Sequence, residues 1–118
     1  EKLHKITHDH TLVNLLVSTG ELTPEQAKFH PRKNLLTRAL GANDPIEIDI
    51  FDVDNNVQGL FLCSDGLTNM VTEEQIEKVL NNKSSIEEQV EKLIKKSNMR
   101  GGTDNISIAY LKKESGDL

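Results

Sequence analysis

The sequence predicts an α/β fold, and three observations carry that expectation. The run Leu60-Phe61-Leu62-Cys63 is long enough for a buried strand, too short for a membrane span, and stops abruptly at Ser64-Asp65-Gly66. Ile46, Ile48 and Ile50, and later Ile106, Ile108 and Tyr110, recur at every second position, the period of a strand. Thr72 with Gln75, and Ser85 with Glu88, set a capping side chain three residues ahead of Gln or Glu and open segments with apolar residues at helical spacing. The order is helices, a hairpin, two helices and a last strand, which suits a sheet with helices on one face better than a bundle.

At 118 residues the chain is ordinary for one domain, and its formal net charge of -5 argues against a nucleic-acid binder and against adhesion to anionic membranes. With three Phe, one Tyr and no Trp, the core must be Leu, Ile and Val, and stacking platforms for bases are not expected. The single Cys63 excludes an internal disulfide and a cysteine-rich metal site; within its apolar run it reads as a buried small hydrophobe. No stretch nears the roughly 20 apolar residues that span a bilayer, and the first residues do not read as a signal peptide, so a cytoplasmic setting is the expectation. The chain opens without an initiator methionine and enters structured sequence at once, which suggests a segment of something longer.

Leu3 to Thr7 alternates weakly and is expected as an edge strand. His8-Asp9-His10 invites a metal reading, but contiguous residues in extended chain point in opposite directions; a turn in which Asp9 or Thr11 caps the next helix is the plainer account. Leu12, Leu15 and Leu16 mark that helix, with Gly20 as its stop. Thr23-Pro24-Glu25-Gln26 opens a second short helix that ends before His30-Pro31, giving a compact helical hairpin. The stretch from Pro31 to Gly41 is notably basic; Arg32 and Arg38 suit an anionic or phosphorylated ligand, while the bland alternative is a solvated helix face.

Residues 42–45 read as a loop, and 46–51 as a strand returning through an Asp54-Asn55-Asn56 turn into a second arm over 57–64 that belongs inside a sheet. The helix opened by Thr72 carries Ile76, Val79 and Leu80 and closes at Asn81-Asn82. The next carries Ile86, Val90, Leu93 and Ile94 as one apolar stripe, a core face sooner than a partner groove, with acids leading and bases following as the helix dipole prefers. Lys112 to Leu118 is a polar tail expected to fray.

Asp65-Gly66 alone could simply turn the chain. Gly101-Gly102-Thr103-Asp104-Asn105 is a second acidic loop that also leads from a helix to an apolar strand. If the last strand pairs near Leu60 to Cys63, Asp65 and Asp104 meet at one edge of the sheet. Two carboxylates are a partial shell for a hard ion such as Mg²⁺ or Mn²⁺, which takes oxygen ligands and keeps waters, but are too few for a two-metal site.

Four stretches in this order, Thr7-His8-Asp9-His10-Thr11-Leu12-Val13, His30-Pro31-Arg32-Lys33-Asn34-Leu35-Leu36-Thr37-Arg38-Ala39-Leu40-Gly41, Leu62-Cys63-Ser64-Asp65-Gly66-Leu67 and Gly101-Gly102-Thr103-Asp104-Asn105-Ile106, resemble the C-terminal half of bacterial PP2C-type protein serine/threonine phosphatases. The resemblance implies part of a four-layer α-β-β-α sandwich with antiparallel sheets, the N-terminal half being absent. Residues 1–118 would be the C-terminal portion of one such domain, with a flap-like segment over about 13–41.

It further implies metal-dependent dephosphorylation of phosphoserine and phosphothreonine in proteins by metal-activated water, with two Mn²⁺ or Mg²⁺ ions and in some members a third. Asp65 and Asp104 would be metal ligands, and Arg32 and Arg38 candidates for substrate access or phosphate contact. The bridging aspartate and the phosphate-binding arginine belong to the family's other half, so the fragment alone is expected to be inactive and, with an apolar sheet face open, to self-associate. Asn69 stands where many members carry an acid. Phosphoproteins, a serine/threonine kinase among them, are the implied partners. The alternative is a non-catalytic phosphoprotein-binding or regulatory module.

Overall fold

A computed structural model describes residues 2–41, 45–102 and 104–114. Most of the predicted 42–45 loop, Thr103 of the second acidic loop and the end of the polar tail lie outside the described residues. The chain forms two compact units, one of Lys5–Asp52 and one joining the residues up to His4 with those from Val53 onward.

In the Lys5–Asp52 unit, α1 (Leu12–Ser18) starts at Thr11, whose hydroxyl accepts the Asn14 amide, and α2 (Pro24–Lys28) starts with a full capping box between Thr23 and Gln26. Gly20 takes φ 83°, a left-handed conformation that suits the turn between the helices, and the Glu21 and Leu22 amides both return to the Leu16 carbonyl. The ends of this hairpin are closed by backbone bonds, from the Leu12 amide to the Leu35 carbonyl at 2.9 Å and from the Thr37 amide to the His10 carbonyl at 2.8 Å.

Two expectations fail in this unit and one at its border. The basic stretch after Pro31 forms turns and extended chain, so the solvated helix face is not what it is. Residues 46–51 form no strand and join no ladder among the described residues; Ile48 and Ile50 are 77% and 89% exposed, so alternation there has no core to meet. Leu3 to Thr7 forms no strand either: the Leu3 amide is spent on the Glu77 carboxylate at 2.7 Å instead of on a neighbouring strand.

The second unit holds β1 (Gly59–Cys63), α3 (Asp65–Thr68), α4 (Glu73–Leu80), α5 (Ile86–Met99) and β2 (Ile108–Lys112). The predicted turn is present: the Asp54 carboxylate accepts the Asn56 amide at 2.9 Å. β1 and β2 pair antiparallel with Phe61 opposite Tyr110 and Cys63 opposite Ile108. The two facing rings meet edge to face at 5.7 Å. Leu67, Val71, Ile76, Val79 and Leu93 are the buried core, and Phe61, Ile106 and Ile108 pack against it.

Of the predicted α5 stripe only Leu93 is buried in the core, Ile86, Val90 and Ile94 being half-buried, and the buried face of the helix is completed by Gln89 and Ser97. Gln89 can be there because its amide group donates to the carbonyls of Asn82 and Ser84, at 2.8 and 3.1 Å. Among the described residues β1 does not lie inside a sheet: it pairs with β2 alone, and on the outward face Leu62 and Leu111 are 60% and 69% exposed. Cys63 is likewise exposed, because the ladder ends at it, and not the buried hydrophobe its apolar run suggests.

Candidate functional site

Direct pairing of β1 with β2 brings the two acidic loops to the same end of the sheet. β1 runs out at Cys63, Ser64 is extended at φ -79°, ψ 166°, and Asp65 is the first residue of α3. At the other strand, α5 ends at an Arg100 cap, Gly101 and Gly102 turn the chain at φ 126° and 50°, and Asp104 lies four residues before β2. Both carboxylates are exposed. Asp104 is oriented by the amide of Asn105, which donates to its Oδ1 at 2.7 Å.

Four hydrogen bonds hold the loops in place. The Ser64 amide donates to the Ser107 carbonyl at 2.9 Å, one residue beyond the end of the ladder. The Ser64 hydroxyl donates to the Asn105 carbonyl at 3.2 Å and accepts the Ser107 amide at 3.0 Å. Below them, the buried Ser97 hydroxyl donates to the Gly66 carbonyl at 2.9 Å, while the Met70 amide goes to Leu67. Gly66 itself is pressed against the second loop: a Cβ there would sit 2.1 Å from the Asn105 carbonyl oxygen.

The donor set fits part of a hard-cation shell. Two exposed carboxylates with room for water suit Mg²⁺ or Mn²⁺, and no group of three or more His, Cys, Asp or Glu capable of holding a metal occurs among the described residues. His8-Asp9-His10 does not converge on an ion. His8 meets the Phe51 ring edge-on, Asp9 pairs with Lys5 at 3.0 Å, and His10 Nε2 lies 2.7 Å from Asp49.

Arg32 and Arg38 differ. The Arg38 guanidinium grips Asp49 at 2.9 Å and Glu47 at 3.2 Å, whereas Arg32 is exposed and is engaged through its backbone, the amide donating to the His30 ring and the carbonyl accepting from the Leu35 amide. The hydrogen bond from Arg38, then that from His10, holds the Asp49 carboxyl below its ordinary value. Asp49, Ser64 and Ser97 were not singled out by sequence. The only signal was position: Ser64 precedes Asp65, and Ser97 follows Leu93 by one helical turn on the buried stripe.

No family model matches the chain. It is 46% identical over 112 residues to a Listeria welshimeri protein named serine/threonine phosphatase stp, covering 94% of this chain and 44% of that one. The crystal structure of serine/threonine phosphatase Stp1 from Staphylococcus aureus superposes with a TM-score of 0.89 at 34% identity, over 95% of this chain and 44% of Stp1. The catalytic domain of serine threonine protein phosphatase PstP, solved in complex with two manganese ions, gives 0.71 at 31% identity, over 91% and 44%. The chain thus spans a little under half the length of the curated relatives it matches.

Proposed function

We propose, from the chain's membership of the PP2C-type bacterial serine/threonine phosphatases, of whose catalytic domain it matches a part, that the whole protein dephosphorylates phosphoserine and phosphothreonine in other proteins. Asp65 and Asp104 are then two carboxylate ligands of its metal centre. The observation that carries this reading is the β1–β2 pairing, which sets both strand-end aspartates at one end of the sheet, with Ser64 bridging to the residue after Asp104.

Mn²⁺ or Mg²⁺, two ions and, as in some members of the family, a third, would neutralise charge on the phosphoryl oxygens and supply an acidified water as nucleophile. Asp65 leaves its carboxylate exposed at the end of a strand whose backbone is tied to β2, and Asp104 is turned by the Asn105 amide. Neither acts as a nucleophile, so no phosphoenzyme is part of the scheme. Two carboxylates leave the shell incomplete; the bridging ligand and the phosphate-binding arginine are assigned to the portion of the relatives that the chain does not match.

In the same reading the two-stranded sheet is one piece of a four-layer sandwich whose other sheet covers the apolar face of Leu62 and Leu111, and 13–41 is a flap. The 118 residues alone turn over no phosphopeptide and self-associate through that face. Substrates are phosphoproteins, a serine/threonine kinase among them.

The test is phosphopeptide hydrolysis by the full-length protein across a Mn²⁺ titration. Asp104→Asn should raise the Mn²⁺ concentration needed for half-maximal activity about 10-fold or more. Identical metal dependence in parent and variant would sink the assignment of Asp104. Binding of phosphopeptide without any metal-dependent turnover would favour a non-catalytic module.

A further inference from the structure

A serine ahead of a helix ordinarily accepts a first-turn amide with its side chain, as Ser85, Thr72, Thr23 and Thr11 all do in this chain. Ser64 is the exception. It stands at the cap position of α3 in the usual extended conformation, yet makes no side-chain bond to the helix. Its hydroxyl is turned instead to the other acidic loop, accepting from Ser107 and donating to Asn105.

We infer that Ser64 is a positioning residue for the metal carboxylates: its hydroxyl fixes the separation of Asp65 and Asp104 by joining the residue before one to the residue after the other. The inference rests on the assignment of those two aspartates above. Strand pairing alone does not do this, because the ladder ends at Cys63–Ile108, short of both carboxylates. Beyond it, the bridge is the hydroxyl with its two partners and one backbone bond from the Ser64 amide. Gly66 completes the arrangement from the other side, since no Cβ fits between it and the Asn105 carbonyl. A hydrogen-bonding group that orients metal ligands without touching the ion is worth about 10–100-fold in metal affinity when removed.

The experiment measures Mn²⁺ affinity by calorimetry, and melting in chelator, for the full-length protein and four variants. Ser64→Ala should weaken Mn²⁺ binding about 10-fold. Ser64→Thr keeps the hydroxyl in an extended conformation that β-branched residues favour, and should stay within about 3-fold of the parent. Asp65→Asn and Asp104→Asn should each weaken binding at least as much as Ser64→Ala. If Ser64→Ala lowers the metal-free melting temperature but leaves the affinity within about 2-fold, the hydroxyl is only structural and the inference is overturned. If the aspartate variants also bind Mn²⁺ like the parent, the metal assignment itself falls with it.

Discussion

Gly66→Ala should damage the protein through one contact. The added Cβ would lie 2.1 Å from the Asn105 carbonyl oxygen and 2.9 Å from its carbon, both backbone atoms that no rotamer change can clear. An ordinary carbon–oxygen contact needs about 3.3 Å, so the Asn105 backbone must retreat by about 1 Å. Such overpacking costs about 1–3 kcal/mol, against about 0.5–1 kcal/mol gained by replacing glycine in a helix. The clash wins, because α3 is only four residues long and its neighbour is main chain. The net loss of about 1–2 kcal/mol corresponds to a melting temperature lower by about 2–8 °C in the full-length protein. The same 1 Å shift falls beside Asp104, where it should lower metal-dependent turnover about 100-fold. Phosphopeptide hydrolysis with saturating Mn²⁺, and thermal melting in chelator, read the two effects separately. A variant that melts and turns over like the parent would refute the close approach as a constraint on the site.

Two further predictions concern the Lys5–Asp52 unit. Folding holds the Asp49 carboxyl below its ordinary value of 3.8, so its links to Arg38 and His10 contribute stability that is present above that value and lost as pH falls through the lowered one. A carboxyl NMR titration should find the Asp49 midpoint below 3.8, and a midpoint at or above it would contradict the geometry. Arg38→Ala should speed proteolysis around Glu47 and Asp49 by releasing both carboxylates, whereas Arg32→Ala should leave cleavage unchanged and weaken phosphopeptide affinity several-fold. Equal cleavage of both variants would remove the distinction between the two arginines.

Local signals proved legible where the physics is local. Thr23, Thr72 and Ser85 announced three helices because a cap is read from residues three apart, Thr11 proved to be the cap where Asp9 was the alternative, and the two acidic loops could be placed because each adjoins a recognisable strand. Alternation in 46–51 misled, since period two reports only an extended chain with two unlike faces and says nothing about a neighbour to pair with. Cys63 misled for a related reason: an apolar run predicts burial only as far as its packing continues, and the ladder ends at Cys63. The bridge from Ser64 was beyond reach because it depends on a hydroxyl turning away from its own helix toward a residue far along the chain. Ser97 was hidden differently, as a small polar side chain in an apolar stripe whose partner is a carbonyl left over when a four-residue helix ends.

That bridge also sets an order of events. Ser64 and Asn105 are 41 positions apart, with α4 and α5 between them. At about 5–20 residues per second, translation delivers the first aspartate roughly 2–8 s before the second. Through that interval the Ser64 hydroxyl has no second acidic loop to hold. Only after α5 has packed and β2 has closed onto β1 do the two acids face a common space. Closure of the bridge would therefore mark the end of this unit's folding, not seed it.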